Sequence, residues 1–228
     1  MTVCIAALYG NGKGAVISSD HMITASIPMG YEFENEETSK IYQLSEKTFA
    51  LLAGDVLFGN QIVLSSRAAV ANTGQEYVGG IADIVKNAYK SFRLSHIVER
   101  YLEPRGLSLD SYYGNHLSLN PHVIQEVDQA FMNYHIGVEV LVVGPTGGGY
   151  GIHIIGNPGL SSCHDAIGFA AIGSGAPHVI YSLLGAKYKK SLECSEVEEM
   201  VKKAKEVSEV APGVGKETTT ECLNDEES

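Results

Sequence analysis

The second residue of the chain is a threonine, directly after Met1. A starting methionine is generally trimmed when the next residue is small, and Thr qualifies. Trimming would leave one residue carrying both a γ-hydroxyl and a free α-amine. A hydroxyl is a weak nucleophile until a base takes its proton, and an N-terminal amine is such a base, directly or through water. An unperturbed α-amine titrates at about 7.7–8.0, so a useful neutral fraction exists at pH 7. Four further positions sit at the ends of short apolar runs, where side chains and backbone come free for chemistry. Asp20 closes Ser18-Ser19-Asp20. Lys40 stands in Ser39-Lys40-Ile41-Tyr42. Gly54 closes Leu51-Leu52-Ala53-Gly54, and Ser174 lies in Gly173-Ser174-Gly175.

The elements that must position these residues follow from periodicity. Residues 2–9 form an apolar run of strand length, Gly10 to Gly14 a turn-forming cluster, and Ala15 to Asp20 a second strand, together a hairpin. Residues 28–39 are polar and acidic and read as loop or edge. Ile41, Leu44, Phe49, Leu51 and Leu52 mark two more strands around a Ser45-Glu46-Lys47 turn. Asp55 reads as an N-cap for a helix to about Ala71. Residues 78–103 carry apolar residues at helical spacing, 104–121 are rich in loop formers, and 122–134 suit a short helix. Strands return at 138–143, 150–155 and 169–172. Gly173-Ser174-Gly175 leads into an apolar helix through Leu184. Ser195 to Glu198 reads as a capping box opening a helix to about Val210. Thr218–Leu223 reads as a last strand. Helices grouped between blocks of strands predict an α+β layered chain rather than a doubly wound one, and no linker-like stretch divides residues 1–228, so one domain is expected.

Composition removes several function classes. The 44% hydrophobic fraction supports a core and excludes a disordered chain. A formal charge of −11 disfavours general binding to nucleic acid or anionic membrane, because phosphate recognition needs clustered cations. No apolar run approaches the roughly 18 residues needed to span a bilayer. The N-terminus lacks the basic region of a secretory signal. Cys4, Cys163, Cys194 and Cys222 include no C-x-x-C pair, and the histidines show no metal-ligand spacing. A reducing cytoplasm and the absence of a metal or cofactor are therefore expected. Neither glycine-rich stretch, Gly10–Gly14 or Gly144–Gly149, has the spacing of a phosphate loop.

Taken in order, Thr2, Asp20, Lys40, the Ala53-Gly54 pair and Gly173-Ser174-Gly175 resemble the proteasome-type family of N-terminal nucleophile (Ntn) hydrolases, which includes proteasome β-subunits and HslV-type peptidases. The match covers roughly residues 2–56, 138–186 and 195–223; the segment of about 90–135 does not match clearly. The resemblance implies a four-layer αββα sandwich of two antiparallel sheets and a threonine endopeptidase. By it, Thr2 Oγ attacks a peptide carbonyl. Lys40 assists the hydroxyl by its charge or, when neutral, by taking the proton, and Asp20 holds Lys40. Ser174 orients the Thr2 amine. The Gly54 N–H serves the oxyanion. That last role has its own logic: a glycine lets substrate approach the backbone, and a helix N-terminus adds a favourable dipole. The resemblance also implies Ile23, Thr38, Leu52 and Val56 as an apolar pocket for the residue before the cut, with Thr24 pairing an extended substrate. Ile23, Leu52 and Val56 fit ordinary core positions equally well. A peptide or unfolded protein as substrate, a homo-oligomeric ring, and an ATP-dependent unfoldase as a docking partner belong to the same implication.

The chain departs from the family pattern in a first hairpin about two residues longer than usual, which a loop absorbs, and at two later positions. Where the family carries an Asp and, three positions on, a Ser, this sequence has Glu209 and Pro212. Glu209 can still accept a hydrogen bond; Pro212 has neither hydroxyl nor N–H. Two alternatives therefore stay open: a ring subunit that keeps the fold without catalysis, and an Ntn amidase or peptide ligase in which an amine resolves the acyl-enzyme.

Overall fold

The computed structural model describes residues 2–25, 31–35 and 39–224. A hairpin of β1 (Cys4–Tyr9) and β2 (Gly14–Asp20) opens the chain, then a ribbon of β3 (Met22–Ala25) and β4 (Tyr31–Glu34). β5 (Ile41–Gln43) and β6 (Phe49–Gly54) lead into α1 (Val56–Thr73), α2 (Val78–Ile97), α3 (Leu109–Asn115) and α4 (Pro121–Asn133). β7 (Val138–Thr146), β8 (Gly149–Gly156), β9 (Leu160–Cys163) and β10 (Phe169–Ile172) follow. α5 (Ala176–Gly185), α6 (Cys194–Ser208) and β11 (Thr218–Asn224) complete the order. The strands form a four-stranded sheet, β10-β1-β2-β11, and a five-stranded sheet, β5-β6-β7-β8-β9, with every neighbouring pair antiparallel. The chain is α+β with antiparallel sheets, as its alternating blocks of strand and helix predict.

Side chains of the two sheets meet face to face. From the first come Cys4, Ala6, Leu8, Ala15 and Ile17; from the second come Leu51, Leu141, Val143 and Ile152. Period-2 alternation sends their neighbours outward. Val3, Ile5, Ala7 and Val16 pack under α5 and α6 with Val179, Leu183, Val197 and Val201. Val140, Val142 and Leu52 pack under α1 and α2 with Ile62, Ile81 and Val85. Each sheet is thus covered on both faces, which explains why β1 is an unbroken apolar run with all six residues buried. A satellite core of Leu102, Tyr112 and Val127 ties α3 and α4 to the end of α2.

Of the two readings for residues 28–39, loop or edge, residues 31–34 take the second: they form β4, whose backbone pairs with β3. Several elements differ from the sequence expectation, each for a local reason. The long helix expected to residue 103 stays α-helical only to Ile97, then continues through a π turn (98–102) and a 3₁₀ turn containing Pro104. α3 lies inside the expected loop, nucleated by a reciprocal Ser108–Ser111 capping box. The capping box of α6 is Glu193–Glu196, not Ser195–Glu198; Glu198 instead pairs with Lys202 one turn on. β9 escapes notice in the sequence because its one large apolar residue, Leu160, is exposed on the sheet edge.

Leu141 is fully buried between the sheets, whereas Leu117 is fully exposed. Leu141→Ala is expected to cost about 2–5 kcal/mol in urea denaturation through lost burial and a residual cavity, and Leu117→Ala less than about 0.5 kcal/mol.

Candidate active site

Strand register gathers the chemically interesting residues at one end of the paired sheets. Cys4 lies opposite Ile172 on one side and Ser19 on the other, so the start of β1, the end of β10 and the end of β2 coincide. Thr218 lies opposite Asp20, which brings the start of β11 to the same place. In the second sheet Gly54 lies opposite Val138, so β6 ends where β7 begins.

At this end Thr2, Asp20 and Lys40 are all buried. One carboxylate oxygen organises them. Asp20 Oδ1 accepts hydrogen bonds from the Thr2 hydroxyl, from the Val3 amide at 3.0 Å and from Lys40 Nζ at 2.8 Å. Oδ2 accepts the amides of Gly215 at 2.8 Å and Met22 at 3.3 Å. A buried ion pair gains stability only when its remaining hydrogen-bonding capacity is filled, and here hydroxyl and backbone donors fill it. The arrangement sets the Thr2 hydroxyl and the Lys40 ammonium side by side on one anionic atom.

A cavity of about 730 Å³ opens beside this cluster, lined among others by Thr2, Gly54, Gly173, Ser174, His135 and Glu139. Gly54 has φ +99°, and a Cβ there would lie 1.9 Å from the Gly137 carbonyl oxygen. Only glycine lets β6 turn this tightly into α1, whose first amides are capped by Asp55 at 2.9 and 3.1 Å. A Cβ on Gly173 would fall 2.3 Å from the Thr2 carbonyl oxygen, so the Thr2 backbone seats directly against this glycine. The Thr2 carbonyl also accepts the Gly175 amide at 3.3 Å and the Ser174 hydroxyl at 3.4 Å. Ser174 Oγ is 3.2 Å from the Pro212 carbonyl as well. The bonds described for Ser174 therefore tether Thr2 through its carbonyl, where the sequence reading expects the amine.

The other expected positions divide. Glu209 caps the end of α6, and Lys205 holds its carboxylate at 2.7 Å; Lys205 is buried, so Glu209 neutralises an interior cation there. Ile23 and Val56 are half-buried, at β3 and the first turn of α1. Leu52 is core, packed beneath α1 against Gly59. Thr24 lies in β3 opposite Glu32, and Thr38 falls outside the described residues. Cys4, on the inner face of β1, donates to the Leu52 carbonyl at 3.2 Å. Burial pushes its thiol far above the ordinary range, which leaves it a poor nucleophile.

Sequence reasoning misses three contributors. Glu139 accepts the Gly173 amide at 3.0 Å and fixes the loop that seats Thr2. Its signal in the sequence is a lone carboxylate in the apolar run Val138 to Val143. His135 and Tyr89 line the cavity, and neither belongs to the ordered set that the sequence singles out. Among the described residues no group of His, Cys, Asp and Glu is placed to hold a metal ion, and no helix is long and apolar enough to cross a membrane. A scan of protein-family models and a search of curated proteins find no match to this chain.

Asp20→Asn leaves the buried Lys40 ammonium without its counter-charge and is expected to cost about 3–5 kcal/mol in urea denaturation. Tyr89 is fully buried, donates to the Val138 carbonyl at 3.0 Å, and its phenol is pushed up to about 12, chiefly by burial. A phenol raised in the fold stabilises it fully below the unfolded value of about 10, and that stability is lost as pH rises to about 12. The wild type should lose stability over this window more steeply than Tyr89→Phe, measured by urea titration at successive pH values.

Proposed function

We propose that this chain is a threonine-type peptidase of the Ntn hydrolase class, using Thr2 as nucleophile once Met1 is removed. The observation that carries the reading is the shared Asp20 oxygen: a hydroxyl and an ammonium buried on one carboxylate, at the wall of a cavity large enough for a peptide segment. The layering of helix pairs outside two packed sheets supports the four-layer αββα architecture that such enzymes share.

In this reading the Lys40 charge favours the alkoxide as it forms, and the freed α-amine takes the hydroxyl proton. Thr2 Oγ adds to the scissile carbonyl, and the Gly54 N–H at the mouth of α1 stabilises the oxyanion. Collapse expels the amine half of the substrate, protonated by the ammonium, and leaves an ester on Thr2. Water then attacks that ester, returning the proton to Oγ and releasing the acid. Asp20 and Ser174 act as positioning residues, one through Lys40 and the Thr2 hydroxyl, the other through the Thr2 carbonyl. A preference for an apolar residue before the cut goes with this reading, although Ile23 and Val56 are not among the residues lining the cavity. A cytoplasmic homo-oligomeric ring served by an ATP-dependent unfoldase is the assembly this reading carries with it.

Peptide libraries incubated with purified protein and read by mass spectrometry test the proposal. Cleavage is expected, with Thr2→Ala lowering kcat/KM by on the order of 10³-fold or more and Lys40→Ala by about 10²–10⁴-fold. Cleavage unchanged in Thr2→Ala contradicts it. Added amines separate the alternative outcomes: ligated product identifies aminolysis of the same ester, while no turnover of any kind supports a structural subunit.

A further inference from the structure

Far apart in sequence, Cys194 and Cys222 meet in space. Cys194 is the first residue of α6 and Cys222 lies on β11, and their sulfurs are 3.1 Å apart. Among the described strands β11 is an edge, paired with β2 alone. Along it Leu223 points into the core between the sheets, so Cys222, opposite Val16, points to the other face, where α6 lies. Both thiols are free, and neither is enclosed: Cys194 is half-buried and Cys222 exposed. The Glu198 carboxylate, held by Lys202, stands 3.7 Å from the Cys222 sulfur, and the Tyr9 hydroxyl borders Cys194.

We propose that Cys194 and Cys222 form a reversible disulfide that ties the C-terminal strand to α6, made by exchange with a low-molecular-weight disulfide. The sulfurs must approach by about 1 Å to reach bonding distance, a movement within reach of side-chain rotation on an edge strand. Burial of its sulfur against α6, then the hydrogen bond with Cys194, push the Cys222 thiol up to about 12. Either thiol can open the exchange with the same balance. Along the route that opens at Cys194, its thiolate displaces one thiolate from the small disulfide, giving a mixed disulfide there. Cys222 then loses its proton, attacks the Cys194 sulfur and expels the second small thiolate, and the two small thiolates take up the two protons that the cysteines gave up. Two protein thiols are oxidised and one small disulfide is reduced to two thiols. The tie has a structural reach: β11 begins at Thr218, opposite Asp20, and the preceding Gly215 donates to the Asp20 carboxylate. The disulfide forms whether or not the chain is a peptidase.

The test uses the full chain carrying Cys163→Ser, which removes the exposed cysteine of β9. Reduced protein is treated with glutathione disulfide, blocked with N-ethylmaleimide, digested without reduction and mapped by mass spectrometry. The expected product is a Cys194–Cys222 cross-linked peptide with a Tm raised by roughly 5–10 °C, both reversed by dithiothreitol. Cys222→Ser in the same background should lose the cross-link and the shift, retaining glutathione at Cys194. Stable glutathione adducts on both cysteines of the Cys163→Ser protein, links only between chains, or a cross-link formed equally well in urea would overturn the proposal.

Discussion

One carboxylate oxygen, Asp20 Oδ1, governs the geometry of the candidate site. It is fully buried and takes its donors from the start of β1, from the segment before β5 and from the Thr2 hydroxyl. A charge withdrawn from water at this depth is tolerable only with a counter-charge and a full set of donors. That requirement fixes where Lys40 must reach, how the Thr2 hydroxyl is turned and why the Gly215 amide folds back over the end of β2. The same atoms that satisfy the desolvated anion thereby place a hydroxyl beside a cation.

Architecture makes this convergence inexpensive. The site draws on β1, β2, β6, β10 and β11, and the antiparallel registers bring the relevant end of each to one edge of the paired sheets. Two glycines then permit contacts that any side chain would block. Gly54 turns β6 into α1 against the Gly137 carbonyl, and Gly173 receives the Thr2 carbonyl. Because each sheet is covered on both faces, the strands that carry the site are held by core packing on either side. The Thr2 backbone is thus closely constrained.

Much of this is legible from residue types. The apolar run of residues 2–9 marks a strand, and Asp55 after Gly54 marks a strand-to-helix corner; both stand at those places in the structure. Thr2, Asp20 and Lys40 are legible as element-end residues, and the structure brings them together. What stays hidden depends on contacts at long sequence separation. Glu139 is one charge in a strand until its carboxylate meets the Gly173 amide. Position in the sequence does not reveal that Lys205, one helical turn before Glu209, takes its carboxylate. Leu52 alternates with Leu51 along β6, and only the packing of α1 shows which face it serves. The cysteine spacing carries no sign that Cys194 and Cys222 are neighbours, since a helix start and an edge strand bring them together.

The most direct measurement is intact mass spectrometry of the purified protein before and after exposure to a peptide epoxyketone, an electrophile that reacts with an amine and a hydroxyl on the same chain-terminal residue. A buried Thr2 hydroxyl that shares the Asp20 carboxylate with the Lys40 ammonium predicts a chain lacking Met1 that gains one adduct, mapped to Thr2 and lost in Lys40→Ala. A mature chain that keeps Met1 and acquires no adduct would contradict it.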